Sequence, residues 1–123
     1  MRQRFLFALA VLFFMAQSAS AHPPSEIQLN YNQENQILHI VVSHNTHNLT
    51  KHRIRKVIVY LNDQEVLNKN YVKQMSASEL VNDIAVQAKP GDIISVKAIC
   101  SEAGYKQESL IIPQEETQKD KSP

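Results

Sequence analysis

Between Ser25 and Ile112 apolar residues recur at every second position in short runs, and turn residues separate the runs. That rhythm sends successive side chains to opposite faces of an extended chain, so it calls for strands that each bury one face. Ile27, Leu29 and Tyr31 make the first run. Leu38, Ile40, Val42 and His44 share one parity of the second, with Ile37, His39 and Val41 on the other. A third run over 54–61 is rich in Val and Ile and stops at Asn62-Asp63, a turn signal. Residues 66–72 suit its return strand and 80–86 a further one. Pro90-Gly91 fits the central positions of a type II turn, because Gly accepts a positive φ. Ile94, Val96, Ala98 and Cys100 then align on one face, Gly104 marks a bend, and 109–112 offers a last short strand. Helical spacing is weak throughout, and only 76–82 suits a single helical turn.

About seven short strands in one small domain, with turn signals between them, predict an all-β fold: an immunoglobulin-like β-sandwich. The domain is expected to span 22–112. Residues 113–123 are polar and charged without an apolar anchor, which reads as a disordered tail. Residues 1–21 read differently again. Arg2 and Arg4 precede an apolar run from Phe5 to Met15, and Ala19-Ser20-Ala21 supplies small residues for a peptidase. This is the layout of a signal peptide cleaved near Ala21. The alternative, an uncleaved anchor, is disfavoured because the run is shorter than the ~20 residues a spanning helix needs. A periplasmic or secreted protein is expected, with no stable membrane insertion after cleavage.

Composition closes off several function classes. The 13 basic and 12 acidic residues leave no charge excess to drive nucleic-acid binding. Two glycines leave no phosphate-cradling loop. One cysteine excludes an internal disulfide framework and any CxxC metal or redox site. Cys100 therefore has three readings in an oxidising compartment: a buried inert thiol, an intermolecular disulfide, or a metal thiolate.

The histidines are the chemical signal. All five (His22, His39, His44, His47 and His52) fall in the first half of the chain, and neutral imidazole is the commonest metal ligand. His44 closes the inward parity of its strand, and Cys100 occupies the matching place on Ile94–Val96–Ala98. Two strand ends that each aim a ligand inward at one pole of a sandwich would build a site suited to iron, copper or zinc. His39 lies on the opposite parity and is read as non-ligating. His22, once it becomes the first residue, could also chelate a metal through its α-amino group and ring. Lys51, Arg53, Arg55 and Lys56 form a basic patch that is either a solvated face or a guide for a small anion. Asn48-Leu49-Thr50 fits the glycosylation acceptor pattern, which matters only in a eukaryotic secretory pathway.

These residues resemble a known family. The stretch from His44 through His52-Arg53-Ile54, followed by Val57-Ile58-Val59-Tyr60-Leu61-Asn62, is similar to the "H-P-x…H-Y-I" segment of desulfoferrodoxin and superoxide reductase. Pro90-Gly91-Asp92 followed by Val96 to Gly104 resembles their closing "C-N-x-H-G" segment, and His22-Pro23-Pro24 their "H-x-P". The resemblance covers nearly the whole mature domain in the same order. It implies an immunoglobulin-like sandwich with one iron, four equatorial histidines and an axial cysteine thiolate, reducing superoxide to hydrogen peroxide. Carried over, His22, His44 and His52 match three imidazole ligands and Cys100 the thiolate. The fourth histidine of the pattern is Ala103 here, and the spacing from His44 to His52 is two residues longer. His47 is an additional imidazole that could substitute.

The resemblance thus implies an exported mononuclear iron protein of superoxide reductase type, dependent on an external electron donor. Two alternatives stand beside it. One is a metal-free binding module that kept the sandwich, for which Ala103 is the main support. The other is a periplasmic copper- or zinc-binding protein built on the histidine cluster.

Overall fold

The computed structural model describes residues 22–114; the expected signal segment and most of the expected tail lie outside them. Seven strands form: β1 (Glu26–Asn32), β2 (Ile37–Ser43), β3 (Ile54–Leu61), β4 (Gln64–Asn70), β5 (Glu79–Ala85), β6 (Ile93–Cys100) and β7 (Tyr105–Ile111). They make two antiparallel sheets, one ordered β1-β2-β5 and the other β4-β3-β6-β7. The all-β sandwich expected from the alternation is what the chain adopts. No described residue is helical. Residues 76–78 are bends that lead into β5, not the helical turn their spacing allowed.

The core lies between the sheets and is built from the inward parities. Leu38, Ile40 and Val42 of β2 meet Val57 and Val59 of β3 and Ile94, Val96 and Ala98 of β6, all with no exposed surface. Burying each of these Leu, Ile and Val side chains contributes about 1.5–3 kcal/mol, so this interlayer is the main apolar contribution to folding. Ile54 also faces inward although it lies three positions before Val57. The β3–β6 register shifts between Ile54 and Lys56, and this bulge at Arg55 restores the inward aim of Ile54.

Strand direction sorts the connections into two groups. The turns 33–36 and 62–63 and the 86–92 crossover lie at one end of the sandwich. The N-terminal segment 22–25, the 44–53 and 71–78 crossovers and the 101–104 turn lie at the other. Asn62 and Asp63 both take positive φ, the geometry of a tight two-residue hairpin, and Gly91 has φ 90 as its turn requires. β7 begins four residues earlier than its apolar residues suggest. Tyr105, Lys106, Gln107 and Glu108 pair with Ile99, Ala98, Lys97 and Val96 through backbone, which apolar periodicity does not register. β4 begins two residues earlier than expected, directly after its turn.

Candidate metal centre

The pole that carries the 44–53 and 71–78 crossovers gathers four of the five histidines, all but His39. His44 follows the last residue of β2 and is 1% exposed. Its amide donates to Ser78 O and the Thr46 amide to Ala77 O, so the two crossovers are laced together. The loop then turns back on itself. Asn48 Oδ1 accepts from the amides of Thr50 and Lys51, and the His52 amide donates to Asn48 O, closing a tight five-residue turn. That turn explains how eight residues of chain return His52 to face His44. Ser101 holds it there. Its Oγ donates to Lys51 O and accepts from the Arg53 amide, while its own amide donates to Arg53 O.

His22 arrives from the N-terminal segment. The Ser25 amide donates to Ser43 O, next to His44. Pro24 is buried, and Pro23 packs so close to Gly104 that an added Cβ there would lie 3.1 Å from the Pro23 Cβ. Gly104 also has φ +69, a conformation that disfavours side chains. The glycine serves both the β6–β7 turn and the close approach that seats His22.

Three rings result at centroid separations of 5.2 Å (His22–His44), 5.2 Å (His22–His52) and 4.7 Å (His44–His52). One ligand nitrogen from each lies within 4.8 Å of the others. Nitrogens on a tetrahedral ion with ~2.1 Å bonds sit about 3.4 Å apart, so modest side-chain rotation closes the set. The Nε2 atoms of His44 and His52 are both buried and have no hydrogen-bond partner. An unpartnered buried polar atom costs about 1–3 kcal/mol, so two of them within one cluster of rings mark a candidate place for a ligand. The residues present fit a metal ion.

Outer contacts orient the two buried rings. His44 Nδ1 lies 2.9 Å from Gln74 Oε1, and Gln74 is itself fully buried. His52 Nδ1 lies 3.9 Å from Glu102 Oε2, an ion-pair distance wider than a hydrogen bond. Burial pushes the His44 imidazole below its ordinary pKa. The hydrogen bond to Gln74 and, more weakly, the His22 backbone oppose that, while the neighbouring His52 and His22 rings reinforce it. Neutral imidazole, the ligating form, is therefore favoured. A cleft of about 730 Å³ opens beside the rings, lined by His22, Thr46, His47, His52, Ser78 and Glu102 among others.

The expected ligands are thus divided. His22, His44 and His52 converge. His47 is exposed on the cleft wall and is not in the converging group. Cys100 is buried on the inward face of β6, opposite Ile54, and its amide donates to Gly104 O. It lies at the same pole, but its sulfur is outside the group of mutually close ligand atoms. The reason is positional: Cys100 still belongs to the strand, whereas all three rings come from segments beyond the strand ends. His39 faces outward and bonds Asp83, as its parity implied. The basic patch divides as well. Arg53 is spent on Tyr71 O (2.7 Å from Nε) and Thr50 O, clamping the two crossovers, while Lys51 and Arg55 stay exposed.

Gln74, Ser101 and the Pro23–Gly104 contact carry no sequence signal that singles them out. Each acts through a contact between segments far apart in the chain. Among the described residues no helix is long and apolar enough to cross a membrane. Compared with protein-family models, curated proteins and solved structures, the chain shows no match.

Proposed function

We propose that this is an exported mononuclear metal-binding protein, with the ion held by the Nε2 atoms of His22, His44 and His52. The observation that carries this reading is the pair of buried, unpartnered Nε2 atoms on two rings of a converging three-imidazole cluster. The strand orders β1-β2-β5 and β4-β3-β6-β7 support an immunoglobulin-like layout, in line with the superoxide reductase resemblance. On that basis ferrous iron is the first candidate, and such an ion would supply one-electron chemistry toward superoxide. The chain's own residues would hold the ion, leave a face open to the cleft, and keep His44 neutral.

The reductase activity further requires the Cys100 sulfur to join the three rings. A second reading, zinc or copper binding without turnover, is favoured by the all-imidazole composition of the converging group. Titration of metal-free protein with Fe(II), Zn(II) and Cu(II) under anaerobic conditions separates them. One ion per chain is expected, and His44→Ala should weaken it by at least a hundredfold. If Cys100→Ser removes a thiolate-to-iron absorption band along with superoxide reduction, the reductase reading stands. If that variant binds metal as wild type does, the all-imidazole reading replaces it. Absence of any stoichiometric metal sinks both.

A further inference from the structure

We propose that Gln74 is the positioning residue that selects the tautomer of His44 and thereby aims its Nε2 lone pair at the metal; this rests on the three-histidine centre above. Gln74 is fully buried, and its amide makes four hydrogen bonds. Its Nε2 lies 2.8 Å from His44 O and 2.7 Å from Ser76 O. Both partners are carbonyls that only accept, so this end of the amide is the NH₂ group. Its Oε1 lies 3.1 Å from the Ile54 amide, which only donates. Three backbone partners of fixed sense therefore leave one orientation for the amide. The fourth contact, from His44 Nδ1 at 2.9 Å, must then be a donation to Oε1.

A neutral imidazole with its proton on Nδ1 carries its lone pair on Nε2. That Nε2 is buried and unpartnered, on a ring whose centroid lies 4.7 Å from that of His52. The opposite tautomer would set an Nδ1 lone pair against Oε1, which the amide disfavours, and would put a proton on the nitrogen needed for the metal. Gln74 suits this place better than a carboxylate, because a fully buried charge without a partner is costly. At His52 the outer group is the partly exposed Glu102, where charge is tolerated. The backbone N–H of Gln74 donates to Leu49 O, so the same residue ties the 71–78 crossover to the loop that presents His52.

The test is a long-range proton–nitrogen NMR correlation of the metal-free full chain at neutral pH, combined with Zn(II) titration. Wild type should show His44 protonated on Nδ1. Gln74→Met should move the proton toward Nε2 and weaken Zn(II) about 10- to 100-fold, as loss of an outer-shell partner does elsewhere. Gln74→Glu keeps an acceptor at the Oε1 position and should keep the Nδ1–H tautomer. His44 protonated on Nε2 in wild type overturns the proposal, even if neither variant folds. So does a folded Gln74→Met with unchanged tautomer and affinity. Wild type that shows the expected tautomer but binds no metal overturns the three-histidine centre instead.

Discussion

The two poles of the sandwich are built from the same materials and end in different states. At the pole opposite the histidines, Asn62 Nδ2 donates to Asp92 Oδ1 and Asn62 Oδ1 accepts from the Ile93 amide. Asp92 Oδ2 accepts from the Lys89 amide, and the Tyr31 hydroxyl bridges Val86 O and the Ala88 amide. Those polar groups answer one another and hold turns. At the histidine pole the backbone is laced just as thoroughly, by Gln74, Ser101 and Asn48, yet two ring nitrogens at its centre are left without partners. A pole needed only to connect strands is satisfied by its own turn chemistry. A frame so fully bonded around unsatisfied acceptors is one prepared for something from outside.

The sharpest way to break that contrast is thermodynamic linkage. Zn(II) at a hundredfold excess over its dissociation constant should stabilise wild type by about 2.7 kcal/mol. For a domain of this size that raises Tm by on the order of 10–20 °C, readable by thermal unfolding followed by circular dichroism. His44→Ala should lose the increment. Asn62→Ala, at the other pole, should lower the starting stability by about 1 kcal/mol and keep the full increment. An increment that survives His44→Ala, or disappears in Asn62→Ala, would erase the distinction between the poles.

The same contrast explains what could be read from residues alone. The sheets follow from the inward parities of Leu38–Ile40–Val42 and Ile94–Val96–Ala98, because burial writes a two-residue period into the chain. The start of β7 is silent, because Tyr105 to Glu108 join the sheet by backbone pairing. His44 is foreseeable from its place at the end of a buried parity, and His39 is excluded by the same rule. Gln74 is not, since its role exists only once the 71–78 crossover closes over His44. The inward aim of Cys100 was legible and its burial follows. Its separation from the rings was not, because that depends on how far the loops carry them past the strand end.

A smaller effect isolates the seat of His22. Gly104→Ala places a side chain at φ +69 and brings its Cβ to 3.1 Å from Pro23. The backbone strain alone costs about 1–2 kcal/mol. Because Pro23 adjoins His22, metal affinity should fall as well, by roughly tenfold, although no ligand is altered. Calorimetric titration beside a thermal melt reads both quantities. If stability drops and affinity stays at the wild-type value, His22 is held independently of that contact.

Protons offer the mildest probe, and they address the poles in separate pH windows. His44 has its pKa lowered from 6.5, chiefly by burial, so the unfolded chain binds a proton more readily than the folded one. Metal-free protein should therefore hold its full stability above pH 6.5 and lose part of it as pH falls from there through the folded-state value. Asp92 has its pKa lowered from 3.8, first by the Asn62 hydrogen bond and then by the Lys89 amide. Its contribution is complete above pH 3.8 and is lost only as acid carries the pH through the lower, folded-state value. Urea unfolding of metal-free protein in a chelator, repeated across pH, should show the first loss disappear in His44→Gln while the second remains. In Asp92→Asn the pattern should reverse. A single loss common to both variants would mean that the two ends of the sandwich are not independent in their electrostatics, because separate sites should add.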